Sequence, residues 1–147
     1  MRLYEQVELK EYVKGVLPNE WYPTWNEEAL KAGAVAIRAF AVHEMRTGFV
    51  WDCNWDQVYD PSKRTPETDA AVDAVWDYVW IGEKNYHDNR QVTCRSREEP
   101  NCMGQRASQR DAEDGLMFDE ILDKYYEGRL WYLPSIEEKI ILKYQME

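Results

Sequence analysis

The chain has 147 residues, which suits one domain, and 44% of them are apolar, which argues against disorder as a global state. Its formal net charge of −10 repels phosphate backbones and anionic lipids, so nucleic acid and membrane surfaces are not expected partners. No apolar run is long enough for a membrane helix, and residues 1–10 lack the apolar segment of a signal peptide, which predicts a cytoplasmic chain unless the natural protein begins earlier.

Aromatic residues and cysteines each leave two interpretations open. The 7 Trp and 10 Tyr can fill the core, or they can present ring faces that stack on sugars. Cys53, Cys94 and Cys102 fit three reduced thiols, or one disulfide and one free thiol. Their spacing matches no zinc-binding pattern, and the chain has no glycine-rich phosphate loop, so neither a metal site nor a cofactor is predicted.

The first part of the chain predicts two helices. Residues 6–17 carry the apolar spacing of a short amphipathic helix, or of an extended entry into one, and Pro18 is expected to end it. Asn26 is a plausible N-cap for the strongest helical pattern of the chain, residues 27–46, which Gly48 closes. Apolar residues lie on most sides of this second helix, which predicts that it is central and buried.

Shorter elements are predicted after residue 48. Residues 49–59 have an extended pattern, and Pro66 is suited to the first turn of a third helix. The remaining candidates are a turn at 81–83, a strand at 91–95, helices at 105–114 and 118–126, a strand at 130–133, and a last helix that starts at Ser135.

Together these elements predict an α+β fold, with one helix-rich domain, a long central helix and a small antiparallel sheet. We expect residues 1–129 to form this domain. Residues 130–147 are expected to form a C-terminal strand and helix extension that packs on it.

A series of motifs resembles the SpoIID family, which comprises stage II sporulation protein D and related amidase-enhancer proteins. Residues 9–20 read LKEYVKGVLPNE, Trp25 follows at the family's spacing, and residues 28–41 read EALKAGAVAIRAFA. Shorter matches follow in the family's order: QVY at 57–59, TDAAV at 68–72, MGQ at 103–105 and FDEILDKYYEG at 118–128. The resemblance covers about residues 7 to 128.

The chain departs from the family pattern in three places. Residues 98–105 read EEPNCMGQ, without the histidine and most of the glycines that the family has before its MSQ. A second motif, rich in serine and glycine, is reduced at 92–96. Tryptophans and an aspartate occupy 51–56, where some members place Cys and His metal ligands, so no metal site is carried over.

The resemblance implies a lytic transglycosylase that cuts the MurNAc–GlcNAc strand of bacterial peptidoglycan, and it matches Glu20 to the catalytic glutamate. That residue would protonate the glycosidic oxygen and then accept a proton from the C6 hydroxyl of the sugar. Such an acid must stay protonated near neutral pH, which requires apolar surroundings that raise its pKa. Trp21, Tyr22 and Trp25 are close enough in sequence to supply them. The candidate substrate-binding residues are Trp21, Trp25, Arg38, Gln57, Tyr59 and Gln105.

Alternatives remain at the level of residues and of function. Glu20 can instead be a solvated carboxylate, and Arg38 can form a structural ion pair with a carboxylate rather than contact substrate. The chain can be a non-catalytic glycan-binding or amidase-enhancer module, or a structural or assembly protein that reuses the fold. The expected partners are peptidoglycan glycan strands and other cell-wall hydrolases. Work on the cell wall would place the domain outside the cytoplasm, where a Cys94–Cys102 disulfide is plausible.

Overall fold

The computed structural model describes residues 4–48, 50–52, 57–80, 85–87, 102–126, 130–132 and 139–144. Within these ranges the helices are α1 (Leu9–Glu20), α2 (Glu27–Glu44), α3 (Pro66–Val75), α4 (Gln105–Glu113) and α5 (Phe118–Tyr125). The strands are β1 (Tyr4–Glu8), β2 (Val50–Asp52), β3 (Tyr78–Trp80), β4 (Asn85–His87), β5 (Cys102–Gly104), β6 (Leu130–Tyr132) and β7 (Lys139–Tyr144).

Helix α2 is the centre of the fold, and it contacts α1, α3, α4 and α5. Asn26 caps it, because its side-chain oxygen accepts a hydrogen bond from the backbone N–H of Glu28 at 2.8 Å. The chain leaves the helix through a short 3-10 turn and Gly48, whose φ of 103° is left-handed. Small residues such as Ala32 and Ala36 are fully buried, so neighbouring helices approach closely. The predicted long central helix is confirmed.

Helix α1 runs further than its sequence predicts. Pro18 was expected to end it, but the helix continues to Glu20, and Asn19 and Glu20 form its last turn instead of a loop. Pro18 removes only one backbone donor near the end of the helix, and the N–H of Trp21 still bonds to the carbonyl of Leu17 at 2.8 Å. Burial of Leu17 and Pro18 in the core compensates for the lost hydrogen bond.

The strands pair in three small sheets. Strand β7 lies between β1, which is antiparallel to it, and β2, which is parallel; β3 pairs with β6 antiparallel and β4 with β5 parallel. The helix-rich α+β class is confirmed, but one small antiparallel sheet is too simple a description, since two of the pairings are parallel.

The last described segment corrects another prediction. A helix was expected to start at Ser135, yet residues 139–144 are a strand. Because β7 pairs with neighbours on both sides, its backbone groups are satisfied by the sheet, which outweighs the local capping pattern. The predicted turn at 81–83 and strand at 91–95 lie outside the described residues, and the division of the chain after residue 129 stays a prediction.

Cys102, in β5, takes part in a disulfide bond. This excludes three reduced thiols. Cys53 and Cys94 lie outside the described residues, and pairing of Cys102 with Cys94 stays a prediction.

Candidate active site

The carboxyl group of Glu20 sits at the C-terminal end of α1 and is largely enclosed. Its Oε1 accepts a hydrogen bond from the backbone N–H of Val58 at 3.2 Å, and its Oε2 accepts one from Nε2 of Gln105 at 2.9 Å. Burial raises the pKa of Glu20 above its ordinary value, and the hydrogen bonds from Val58 and Gln105 act in the opposite direction. Glu20 is therefore an acid that holds its proton more tightly than a solvated glutamate does. Two N–H donors stabilise its carboxylate once the proton has left.

The backbone donor to Glu20 is held in place by Gln57, which precedes Val58. Gln57 is completely buried, and its Oε1 accepts a hydrogen bond from the hydroxyl of Tyr12 at 2.6 Å. Its Nε2 donates to the carbonyl of Ile37 at 3.2 Å. Both ends of the amide are thus engaged by α1 and α2, which fits a structural amide that positions the loop. A contact of Gln57 with substrate stays a prediction.

The same loop is attached to α1 a second time through Asn19. Its side-chain nitrogen donates to the carbonyl of Gly15 at 2.7 Å and to the carbonyl of Asp60 at 3.2 Å. The backbone N–H of Asp60 also bonds to the Gly15 carbonyl, at 3.0 Å. The end of α1 and residues 57–60 therefore form one hydrogen-bonded unit around Glu20.

The side-chain donor, Gln105, is the first residue of α4 and is itself buried. The hydroxyl of Ser108 donates to its carbonyl at 2.6 Å, and the indole nitrogen of Trp21 donates to Ser108 Oγ at 2.9 Å. Trp21, the residue after Glu20, thereby helps to fix the start of α4. The structure brings Glu20 and Gln105 together although 85 positions separate them.

The aromatic candidates divide into buried and accessible rings. Trp21 is only 1% exposed and packs on α2 at Gly33, so its ring faces belong to the core. Trp25 is half-buried and meets the ring of Tyr22 edge-to-face, with 5.1 Å between the centroids. Tyr22 is 52% exposed, and the guanidinium of Arg106 lies 5.6 Å from its centroid. Trp25 and Tyr22 can meet a sugar, whereas Trp21 cannot in this conformation.

Tyr59 and Arg38 face other protein groups. The ring of Tyr59 stacks on Tyr12, with centroids 5.4 Å apart and planes 11° from parallel. The guanidinium of Arg38 lies 4.0 Å from the ring centroid of Trp76 and donates to the backbone carbonyl of the same residue. These contacts explain how a buried cation is accommodated in an apolar helix, without substrate.

A family model described as SpoIID, stage II sporulation protein, matches residues 1–81. The chain belongs to the SpoIID family. The matched segment contains Glu20, Gln57 and Tyr59. Gln105 lies beyond that segment.

Comparison with individual proteins adds little to the family match. An uncharacterized protein of Brachyspira hyodysenteriae is 47% identical over 45 residues, which are 31% of this chain and 12% of that protein. The chain thus matches only a small part of this relative. No solved structure matches.

The structure adds to the candidate site around Glu20 two residues that the sequence did not indicate. Val58 contributes only its backbone N–H, which no side-chain pattern reveals. Asn19 lies beside Glu20 within the family motif, and that position was the one available signal. Among the described residues, no three His, Cys, Asp or Glu side chains are grouped to hold a metal ion.

Proposed function

We propose that this SpoIID-family chain is a peptidoglycan lytic transglycosylase, with Glu20 as both acid and base. The observation that supports the proposal best is the buried carboxyl of Glu20 with its two hydrogen-bond donors. Burial favours the protonated form, which can donate a proton to the glycosidic oxygen. The donors Val58 and Gln105 favour the carboxylate that remains, so it is stabilised once the proton has left.

The reaction balances with one carboxyl group and no water. The proton of Glu20 goes to the glycosidic oxygen as the bond from that oxygen to C1 breaks, and the leaving sugar departs with a free hydroxyl. The C6 hydroxyl oxygen of the remaining sugar then bonds to C1, and its proton returns to Glu20. The product is an anhydro-sugar, and the enzyme regains its starting state. Ordinary glycoside hydrolysis, in contrast, uses two carboxyl groups.

The test is digestion of purified peptidoglycan stripped of stem peptides, with mass spectrometry of the soluble products. We expect anhydro-sugars from the native protein and at least a ~100-fold lower rate from Glu20→Gln, since a general acid–base group contributes at least that factor. Glu113→Gln, which changes an exposed glutamate at the end of α4, is the matched control and should digest like the native protein. Equal digestion by Glu20→Gln, or no anhydro product from native protein, contradicts the proposal.

A second candidate is a glycan-binding or amidase-enhancer module that does not cut. The sequence observation that favours it is the loss of the family's glycine-rich motif before Gln105. Such a module would bind stripped glycan equally well with Glu20 or Gln at position 20 and release no product. A structural or assembly protein would bind no glycan, so a pull-down on stripped peptidoglycan distinguishes it from a glycan-binding module. A transglycosylase or a glycan-binding module would act outside the cytoplasm.

A further inference from the structure

A cavity of about 660 Å³ is lined in part by the segment that follows Glu20. It lies between that segment, the first turns of α2 and the first turns of α3. Its volume is in the range of small-molecule sites, and most of its lining is apolar. Its lining includes Trp25, Glu27, Leu30, Thr65, Glu67 and Ala71.

One wall of the cavity is an aromatic ring held in place. The backbone N–H of Trp25 bonds to the carbonyl of Tyr22 at 2.9 Å, and the two rings meet edge-to-face. Leu30 and Ala71 also line the cavity and are almost completely buried. The cavity therefore combines an indole ring with apolar side chains, which suits the apolar face of a sugar ring.

The rim carries negative charge. Glu27 is paired with Lys31 at 3.1 Å, whereas Glu67, in the first turn of α3, has no basic partner among the described residues. Glu67 is exposed at the mouth of the cavity. Its carboxylate can accept hydrogen bonds from sugar hydroxyls but repels a second carboxylate.

The cavity is close to the catalytic candidate along the chain. Trp25 follows Glu20 by five residues, and five residues span at most about 18 Å. The backbone positions of Glu20 and Trp25 are therefore separated by no more than a few sugar units of a glycan strand.

We propose that this cavity is a second sugar subsite, which takes an uncharged N-acetylglucosamine ring and excludes the lactyl carboxylate of N-acetylmuramic acid. The inference rests on the glycan substrate of the proposed function, but it does not require cleavage. Trp25 supplies the stacking surface. Glu67 supplies the charge selection, so the cavity determines which of the two alternating sugars lies beside the Glu20 site.

The test is a titration of isotope-labelled protein with three monosaccharides, monitored by NMR at the indole N–H of Trp25. The sugars are N-acetylglucosamine, N-acetylmuramic acid and glucosamine, which are neutral, anionic and cationic. We expect N-acetylglucosamine to shift the Trp25 signal, and N-acetylmuramic acid to bind at least about fivefold more weakly, the effect of one like-charge contact near a surface. Glu67→Gln should reduce the difference in affinity between N-acetylglucosamine and N-acetylmuramic acid, and Glu113→Gln should leave it unchanged.

Other outcomes overturn the proposal. Equal binding of the neutral and anionic sugars removes the charge selection, and tightest binding of glucosamine makes the cavity a site for amines. Absence of any Trp25 shift removes the subsite. Trp25→Phe keeps an aromatic ring, and its spectrum assigns the indole signal and shows whether the fold survives. Because monosaccharides are not cleaved, the same titration of Glu20→Gln separates failure of the subsite from failure of the transglycosylase.

Discussion

The contact between Gly15 and Tyr59 couples packing to the geometry of Glu20. A Cβ atom added at Gly15 would lie 2.4 Å from Cε1 and 2.8 Å from Cδ1 of the Tyr59 ring. That ring cannot retreat freely, because it stacks on the fully buried Tyr12. Gly15→Ala must therefore displace Tyr59 and, with it, residues 57–60, which present the Val58 N–H to Glu20.

Two opposing contributions determine the size of the effect. Alanine favours a helix over glycine by about 1 kcal/mol, whereas overpacking of this kind costs about 1–3 kcal/mol. We expect Gly15→Ala to lower the free energy of unfolding by up to about 2 kcal/mol, which is the difference between those ranges. If the proposed function holds, digestion should also slow, because the displaced loop no longer aligns the Val58 donor.

A double-mutant cycle isolates the steric term. Unfolding in denaturant is measured for the native protein, Gly15→Ala, Tyr59→Ala and the double variant. Once the ring is removed, alanine at position 15 should stabilise α1 by about 1 kcal/mol, so the coupling between the two sites should equal the overpacking cost of about 1–3 kcal/mol. If Gly15→Ala changes stability by the same amount with and without the ring, the close approach does not constrain the loop and the reasoning is refuted.

Three further predictions concern stability. Gln57→Ala leaves the hydroxyl of Tyr12 and the carbonyl of Ile37 without Gln57 as a partner, and we expect it to lower the free energy of unfolding by at least about 2 kcal/mol in denaturant titrations. Because burial raises the pKa of Glu20 in the folded state, its contribution to stability is fully present below pH 4.5 and is lost as the pH rises through the folded pKa. As the pH rises from 4.5 through the folded-state pKa of Glu20, the melting temperature of the native protein should thus fall relative to that of Glu20→Gln. Asn26→Ala removes the cap of α2 and should cost about 1 kcal/mol in the same titrations.

Each of these predictions has its own control. Gln6→Ala changes an exposed glutamine and should alter the free energy of unfolding by less than about 0.5 kcal/mol. If Gln57→Ala lowers the free energy of unfolding by no more than that, Gln57 does not position the loop. If the difference in melting temperature between the native protein and Glu20→Gln does not vary with pH, Glu20 is solvated. Asn26→Asp keeps a capping oxygen, so it should retain most of the stability that Asn26→Ala loses.

Local sequence signals are sufficient to predict the strongest helices of the chain. The pattern of α2, its cap at Asn26 and the left-handed Gly48 after its short 3-10 turn all depend on residues close together in the chain, as does the start of α3 at Pro66. The family motif around Glu20 is likewise local, and it singled out the residue whose carboxyl proves to be buried. These features can be predicted from the sequence because they depend on residues that are neighbours in the chain.

Contacts between distant segments determine the roles of the remaining candidate residues. Two glutamines with the same side chain make different contacts. Gln105 donates a hydrogen bond to Glu20, whereas the amide of Gln57 bonds to Tyr12 and Ile37. Trp21 is buried where α2 carries a glycine, whereas Trp25 lines a cavity. Residues 139–144 form a strand because two partner strands, distant in sequence, satisfy their backbone groups. In every case the deciding contact joins segments far apart in the chain, and no local pattern contains that information.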